Sequence, residues 1–460
     1  MTELSTATAA QDAVRVDLGN VQGLVARMYR QRVVRHLLFR FGGSAEARGF
    51  LRGLLPHITL ADASPDPAPD PVVNVGITYH GLQALGAEPA LLDELSSAFR
   101  EGPDPHQLGD AAESASATEN WWEGRFSTED VHCIVHLHVS CDEALQTASA
   151  LARTLAQQSG MTELIPRIDG TVLDARSLGG GKLHFGYTDG ISHVDVGWDD
   201  ESRTPQQVDF REFLLGYAGA AARSDENALL RDGAYGAFRW IYQDVATFNR
   251  FLGAEGPRMF PDRAPGDAEE LLAAKMMGRW RDGTPLVLSP DRPDPTMTRR
   301  NDFGYEHDDP DGLRCPFSAH IRVVNPRDQR LDPIVAKKVP AVIRRGMPYG
   351  PLLEGSEDDG VDRGLFGIFM CADIRRQLYS LTGWIKLNDF SPVYDSNRRV
   401  QDALFANRAQ PGAVAQFTIP GEGGEANVML PDFVRTKGTA FLLYPSKSTL
   451  QRLSEQAGPV

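Results

Sequence analysis

The stretch VHCIVHLHVSCDEALQTASALARTLAQQ, residues 131–158, changes its period halfway along. Up to Ser140 it alternates: Val131, Cys133, Val135, Leu137 and Val139 share one parity, while His132, His136 and His138 share the other. Period two with β-branched residues predicts a strand. From Asp142 the apolar residues recur at helical spacing, which predicts a helix over 142–158. The same two patterns alternate elsewhere. VRHLLFRF (34–41), VVNVGITY (72–79), AHIRVV (319–324), FGIFMC (366–371) and AFLLYP (440–445) read as strands, and GDAEELLAAKMMGRW (266–280) as a helix. Alternation of this kind, broken by long insertions, predicts α+β layers rather than an all-α or all-β fold.

At 460 residues the chain exceeds the usual size of one domain. A boundary near residue 200 divides it into 1–200 and 201–460. Three loop-like stretches stand out: the Pro/Asp run at 61–73, residues 285–316, and the acidic 351–364. Long irregular spans in a compact protein are usually functional covers or surface insertions.

A net charge of −15 lacks the basic balance of a nucleic-acid surface. Four scattered cysteines without a CxxC spacing exclude a zinc ribbon and a dithiol redox motif, and fit a reducing compartment. The first residues lack a basic region followed by an apolar one, and no apolar run reaches the length of a membrane span. A cytoplasmic location is the expectation, with no membrane partner.

Three short segments hold the groups with chemical potential. GYTDGIS (186–192) sets Asp189 between Gly186 and Gly190, a pattern for a sharp turn or for close approach to the backbone. CPFSAHIRVVNPR (315–327) puts His320 in an apolar context, where a core role is the first reading; Arg322 and Arg327 downstream could hold carboxylates or phosphates. VIRRGMPYGP (342–351) ends a strand with Arg344 and Arg345, either on the surface or pointing into a cavity. The histidines of 132–138 read as a structural, hydrogen-bonded face rather than a metal pair. LGGGKLHFG (178–186) is no phosphate loop, because Leu183 follows the lysine and Arg176 stands where a glycine is needed. No GxSxG elbow is present.

Taken together and in this order, FGYTDGIS, CPFSAHIRVVNPR and IRRGMPYG resemble the dye-decolorizing peroxidases, in particular their larger members. NVQGLVARMY, NVGITYHGLQALG, FREGPDPHQLGD, RGLFGIFMCADI and WIKLNDF extend the resemblance over nearly the whole chain. It implies two ferredoxin-like α+β modules of the dimeric α+β barrel type, with antiparallel sheets and peripheral helices. It also implies one haem b per chain, held mainly by the second module.

The resemblance assigns His320 as the proximal iron ligand, Asp189 as the proton relay for hydrogen peroxide and Arg344 as the cation that steadies the departing oxygen. Gly186 and Gly190 give the porphyrin room, and Arg322 and His184 either reach the propionates or are structural. Phe366 and Ile368 line the peroxide side. Asp402, in QDALFAN, stands where a carboxylate for the second N–H of His320 is expected, and Tyr349 matches a surface tyrosine that passes electrons from bulky donors. The implied partners are hydrogen peroxide and a small reducing substrate such as a dye, a phenol or Mn(II). A haem oxidase of one biosynthetic step and a haem-delivery protein are the alternatives, and the resemblance leaves the oligomeric state open.

Overall fold

The chain builds the same unit twice. In a computed structural model, the structure describes residues 13–63, 69–110, 113–217, 229–329, 339–386, 401–409, 415–421 and 424–455. The first unit runs β1 (Val33–Arg40), helix Ser44–Leu54, β2 (Val72–Ile77), β3 (Cys133–Val139), helix Asp142–Gln158 and β4 (Thr162–Leu164). Its strands pair antiparallel in the order β4-β1-β3-β2, a split β-α-β of ferredoxin-like type. β5 (Leu173–Arg176) extends the pairing along β1. β6 (Val196–Gly197) and β7 (Val208–Asp209) form a short parallel pair apart from the sheet.

The second unit begins with β8 (Ala234–Gln243) and the helices Val245–Met259 and Pro265–Met277. It continues through β9 (Ile343–Tyr349), β10 (Gly364–Cys371) and the helical segments Ile374–Tyr379 and Ser380–Lys386. A hairpin of β11 (Gln416–Gly421) and β12 (Gly424–Met429) precedes β13 (Val434–Tyr444). The order is again 4-1-3-2, as β13-β8-β10-β9. One pairing, Ile77 with Leu443, joins the units into a nine-stranded sheet. Among the described residues no ladder joins β9 to β4 or β5, so the barrel type expected is not closed by hydrogen bonds; β5 instead packs against β9. No described helix is long and apolar enough to cross a membrane.

The helix predicted over 142–158 spans those residues, and buries Leu145, Ala148, Ala152 and Ala156 as one stripe. AHIRVV does not form a strand. Ala319 is extended and His320–Val324 is a short helix. β-Branched residues favour a pleated, half-buried surface, and no strand among the described residues pairs with this segment. Instead Val323 O accepts a hydrogen bond from Trp384 Nε1, and Ile321 packs against a turn at Gly278.

His136 on the histidine face of β3 is buried and hydrogen-bonded, while His132 and His138 are partly exposed and His138 Nδ1 has no partner among the described residues. His136 lies opposite His36 of β1, their Nδ1 atoms 2.8 Å apart, and its Nε2 is 2.9 Å from the Tyr444 hydroxyl. The His36 ring lies 4.9 Å from Phe238 and 5.3 Å from Phe366, both in the second unit, so the two halves of the sheet face each other across this cluster. Burial, with the neighbouring imidazoles, pushes His36 and His136 well below their ordinary pKa of 6.5, and burial with Arg345 lowers His138 to about 4. The unfolded chain therefore binds protons below pH about 6.5 that the folded chain refuses. Stability is expected to fall as pH drops from about 6.5 towards 4, by up to about 1.4 kcal/mol per histidine per pH unit. Urea unfolding between pH 7.5 and pH 5 measures this, and a flat profile contradicts it.

Candidate active site

The loop after β5 is held by its backbone and turns one carboxylate outward. Gly186 and Gly190 have φ of +87° and +77°, the left-handed region that glycine enters without strain. Thr188 donates to Arg281 O from both its backbone N (3.1 Å) and its hydroxyl (3.0 Å), and Asp189 N donates to Gly181 O at 2.8 Å. The Asp189 side chain is exposed and makes no hydrogen bond or ion pair with any described residue. At Gly186 a Cβ would lie 3.0 Å from Arg281 Cδ, so the bare glycine admits the Arg281 side chain. At Gly190 a Cβ would meet only the His193 imidazole, at 3.5 Å.

The strip that holds this loop also abuts the His320 helix. Gly278 has φ of +90°, and a Cβ on it would come within 2.5 Å of Ile321 Cγ1 and 3.0 Å of Cys315 Sγ. Residues 278–281 thus touch the Asp189 loop at Arg281 and the neighbour of His320 at Gly278.

His320 is mostly buried, with its Nδ1 2.8 Å from Oδ2 of Asp402 and its ring 4.8 Å from Phe405. Asp402 is fully buried, and its other oxygen accepts from the backbone N–H of Leu404 (2.9 Å) and Phe405 (2.8 Å). Burial works to raise this carboxyl, but His320 and the two N–H groups outweigh it and hold its pKa below the ordinary value. A carboxylate there accepts a hydrogen bond from Nδ1–H and so leaves Nε2 with its lone pair, and no described residue bonds Nε2.

Among the described residues no three His, Cys, Asp or Glu side chains converge as a metal cluster. A metal on His320 alone must therefore bring its other ligands with it, as the iron of haem does.

A site for negative charge lies nearby. Arg279 and Arg327 both donate to Asn301 Oδ1, at 2.9 and 2.7 Å, and their remaining recorded hydrogen bonds go to backbone carbonyls. Neither has a carboxylate partner among the described residues. Burial and the Arg327 charge lower Arg279 to about 10. Two guanidiniums converging on one neutral oxygen fit an anionic group such as the propionates of haem. Asn301 in turn reaches the Asp189 loop, its Nδ2 3.4 Å from Ser192 Oγ. The donor set fits haem at both ends: an open imidazole nitrogen and unpaired cations.

Arg344 on β9 is exposed and donates to Ser192 O at 3.1 Å, which brings it to the same loop. The register decides its neighbours. Arg344 lies opposite Phe369, Gly346 opposite Gly367 and Pro348 opposite Leu365. Directly paired residues share a face, so Phe369 stands beside Arg344 and Leu365 lies further along the same face. A Cβ on Gly367 would lie 2.9 Å from the Phe369 ring, which covers that bare position.

Phe366 and Ile368, expected on the peroxide side, have the opposite parity. Phe366 stacks on Tyr349 at 4.7 Å and belongs with Ile368 to the core. The sequence pointed to Phe366 and Ile368, and only strand pairing shows that they lie on the other face from Arg344.

Two further expectations change. Arg322 reaches no open site: it is fully buried, with Nε on Gln329 Oε1 (2.9 Å), Nη1 on Asp309 Oδ2 (3.0 Å) and Nη2 on Asp309 O (2.8 Å). Its guanidinium lies between Phe317 and Tyr305, and it fastens the 305–317 loop to the His320 helix. Tyr349 is not on the surface but 1% exposed, its hydroxyl donating to Asp362 Oδ1 at 3.1 Å. His184 is tied to the Tyr349 backbone, Nε2 to O, at 2.8 Å.

No protein-family model matches the chain. It is 34% identical to the dye-decolorizing peroxidase of Mycena epipterygia over 355 residues, covering 71% of this chain and 64% of that protein. With Peroxidase 2 of Mycetinis scorodonius it shares 28% over 485 residues, covering 97% of this chain and 89% of that one. An ancestral D-type dye-decolorizing peroxidase of known structure superposes with a TM-score of 0.82 at 26% identity, over 96% of this chain and 100% of that one. A dye-decolorizing peroxidase solved in complex with 2,6-dimethoxyphenol gives 0.77 at 25%, over 95% and 100%. Likeness that runs the length of the sequence and is matched by the doubled fold makes this chain similar throughout to dye-decolorizing peroxidases.

Proposed function

We propose that this chain reduces hydrogen peroxide at one haem b held by His320, with phenols or dyes as electron donors. The observation that carries the reading is the His320–Asp402 pair, which leaves Nε2 open where no cluster of protein ligands is present among the described residues. When bound, the haem supplies two-electron reduction of peroxide and takes the electrons back singly from a reducing substrate.

The chain's own residues supply the rest. Asp402 keeps the imidazole in one tautomer and raises its basicity. Arg279 and Arg327 would hold the propionate carboxylates of bound haem. The Asp189 carboxylate takes a proton from the inner peroxide oxygen and returns it to the outer one, which leaves as water. Arg344 stabilises the negative charge that builds on that outer oxygen.

A phenolic donor accords with the relative solved with 2,6-dimethoxyphenol. The test is direct: the haem-loaded chain, mixed with peroxide and 2,6-dimethoxyphenol, should consume both in a ratio of one peroxide to two one-electron donors. A Soret band without peroxide consumption would overturn the reading. Four cysteines without a disulfide accord with a reducing, cytoplasmic setting.

Donors too large for the haem edge pass electrons through Tyr349. Loss of an electron from a buried phenol requires loss of its proton, and Asp362 is placed to accept it. Trp240, which lies 6.4 Å from Tyr349 ring to ring, is covered by Lys437 at 4.3 Å, a cation that disfavours positive charge on the indole and leaves Tyr349 as the carrier; Arg167 lies over both rings, at 5.0 and 5.1 Å, and does not separate them. Tyr349→Phe is expected to slow oxidation of a bulky dye about tenfold, with a small phenol changed less than about twofold. Equal loss for both donors, in steady-state assays, would remove Tyr349 from this role.

A further inference from the structure

His193 follows the Asp189 loop and has no part in the reading above. Its Nε2 is buried without a hydrogen-bond partner. The imidazole arches back over the loop, since a Cβ on Gly190, next to Asp189, would lie 3.5 Å from Nε2. The adjacent residue, Ser192, accepts from Arg344 through its carbonyl and meets Asn301 at its hydroxyl. Arg299 reaches the same loop from residues 285–316, its Nη1 3.3 Å from Gly190 O. The imidazole therefore sits among the groups assigned to peroxide, with one nitrogen turned inward and unused. An imidazole nitrogen buried without a partner is costly, and such an atom is normally satisfied by a bound group or a water.

We propose that His193 is a positioning residue of the peroxide side, its Nε2 holding the Asp189 carboxyl group through one water in the orientation that accepts and returns the proton. The proposal rests on the assignment of Asp189 and Arg344 to peroxide, and adds the group that orients the first of them. Burial, with Arg344 and Arg345, lowers the His193 pKa, while Asp189 opposes this. Those three charged groups face the imidazole from its own loop and from β9. The imidazole is therefore neutral at pH 7 and can take part as donor or acceptor without adding a charge. No covalent step is involved; the proton stays on Asp189 between the two peroxide oxygens.

Two measurements decide it. In the full chain with isotopically labelled histidine, the His193 resonance is identified by its loss in His193→Gln. Asp189→Asn should lower its titration midpoint and Arg344→Leu should raise it, each by about half a unit or more. This arm needs no haem, so it stands even if the haem reading fails, a failure seen separately as a missing Soret band in the wild type.

In the haem-loaded chain, cyanide is the probe, because hydrogen cyanide must leave its proton on a protein group when the anion binds. His193→Ala should weaken cyanide binding about tenfold at pH 7 and alter its pH profile, and His193→Gln, which keeps an amide near the place of Nε2, should recover most of the affinity. A His193 midpoint unmoved by either charge variant would overturn the proposal. So would cyanide binding by His193→Ala with the wild-type affinity and pH profile.

Discussion

Asp189→Asn lowers the second-order rate constant for peroxide by about a hundred- to ten-thousand-fold, the usual span for loss of a general acid–base group. The substitution is clean. Asp189 is exposed and its carboxylate holds no described residue, so the amide removes no structural bond. The backbone bond to Gly181 and the left-handed Gly190 that shape the loop are untouched. Asparagine retains the shape and loses the ability to accept a proton from one oxygen and give it to the other. Rapid mixing with peroxide, followed in the haem spectrum, measures the loss, and haem content is expected to stay at the wild-type level. A wild-type rate would transfer the relay to another group. Arg344→Leu acts on charge rather than on the proton, so a smaller fall, about tenfold to a hundredfold, is expected in the same assay.

His320→Ala is the second large effect: haem occupancy collapses, and added imidazole restores part of the Soret band by filling the space left behind. The carboxylate behind the histidine should show itself differently. Asp402→Asn keeps an acceptor for Nδ1–H and removes the charge, so haem is retained, the iron reduction potential rises, and the peroxide rate falls about ten- to a hundredfold. Asp402→Ala is the poorer probe, because it also strands the N–H groups of Leu404 and Phe405 at a cost of about 1–3 kcal/mol each. If His320→Ala kept haem with an unchanged spectrum, the ligand would lie elsewhere. If Asp402→Asn left the potential where it was, the 2.8 Å contact would be packing alone.

The main elements could be read from the chain because their signals are local. A change from period two to helical spacing at Ser140 marks β3 and the helix after it, and Asp189, His320 and Arg344 each lie in a short segment with a characteristic spacing. AHIRVV misleads for the same reason: its β-branched residues speak for a strand, yet no described strand pairs with them and His320–Val324 is a short helix. Arg322 looked open because arginines seldom lie fully buried, and its burial rests on Asp309, 13 positions away, and on two aromatic rings. Arg279 and Asn301 carried no signal at all, being ordinary residues until Arg327 folds onto the same oxygen.

By itself the sequence determined most of the strands and helices, AHIRVV excepted, and that the fold is α+β, and it singled out three segments as candidates for the chemistry. The tertiary structure alone decided which residues face one another. His320 and Asp402 are 82 positions apart and meet only when the second unit closes. Leu365 and Phe369, not Phe366 and Ile368, share the face of Arg344 because side chains on a strand alternate, so a shift of one residue moves a side chain to the opposite face. Local composition reports periodicity; it does not report the pairing register or the long-range contacts that select one face over the other.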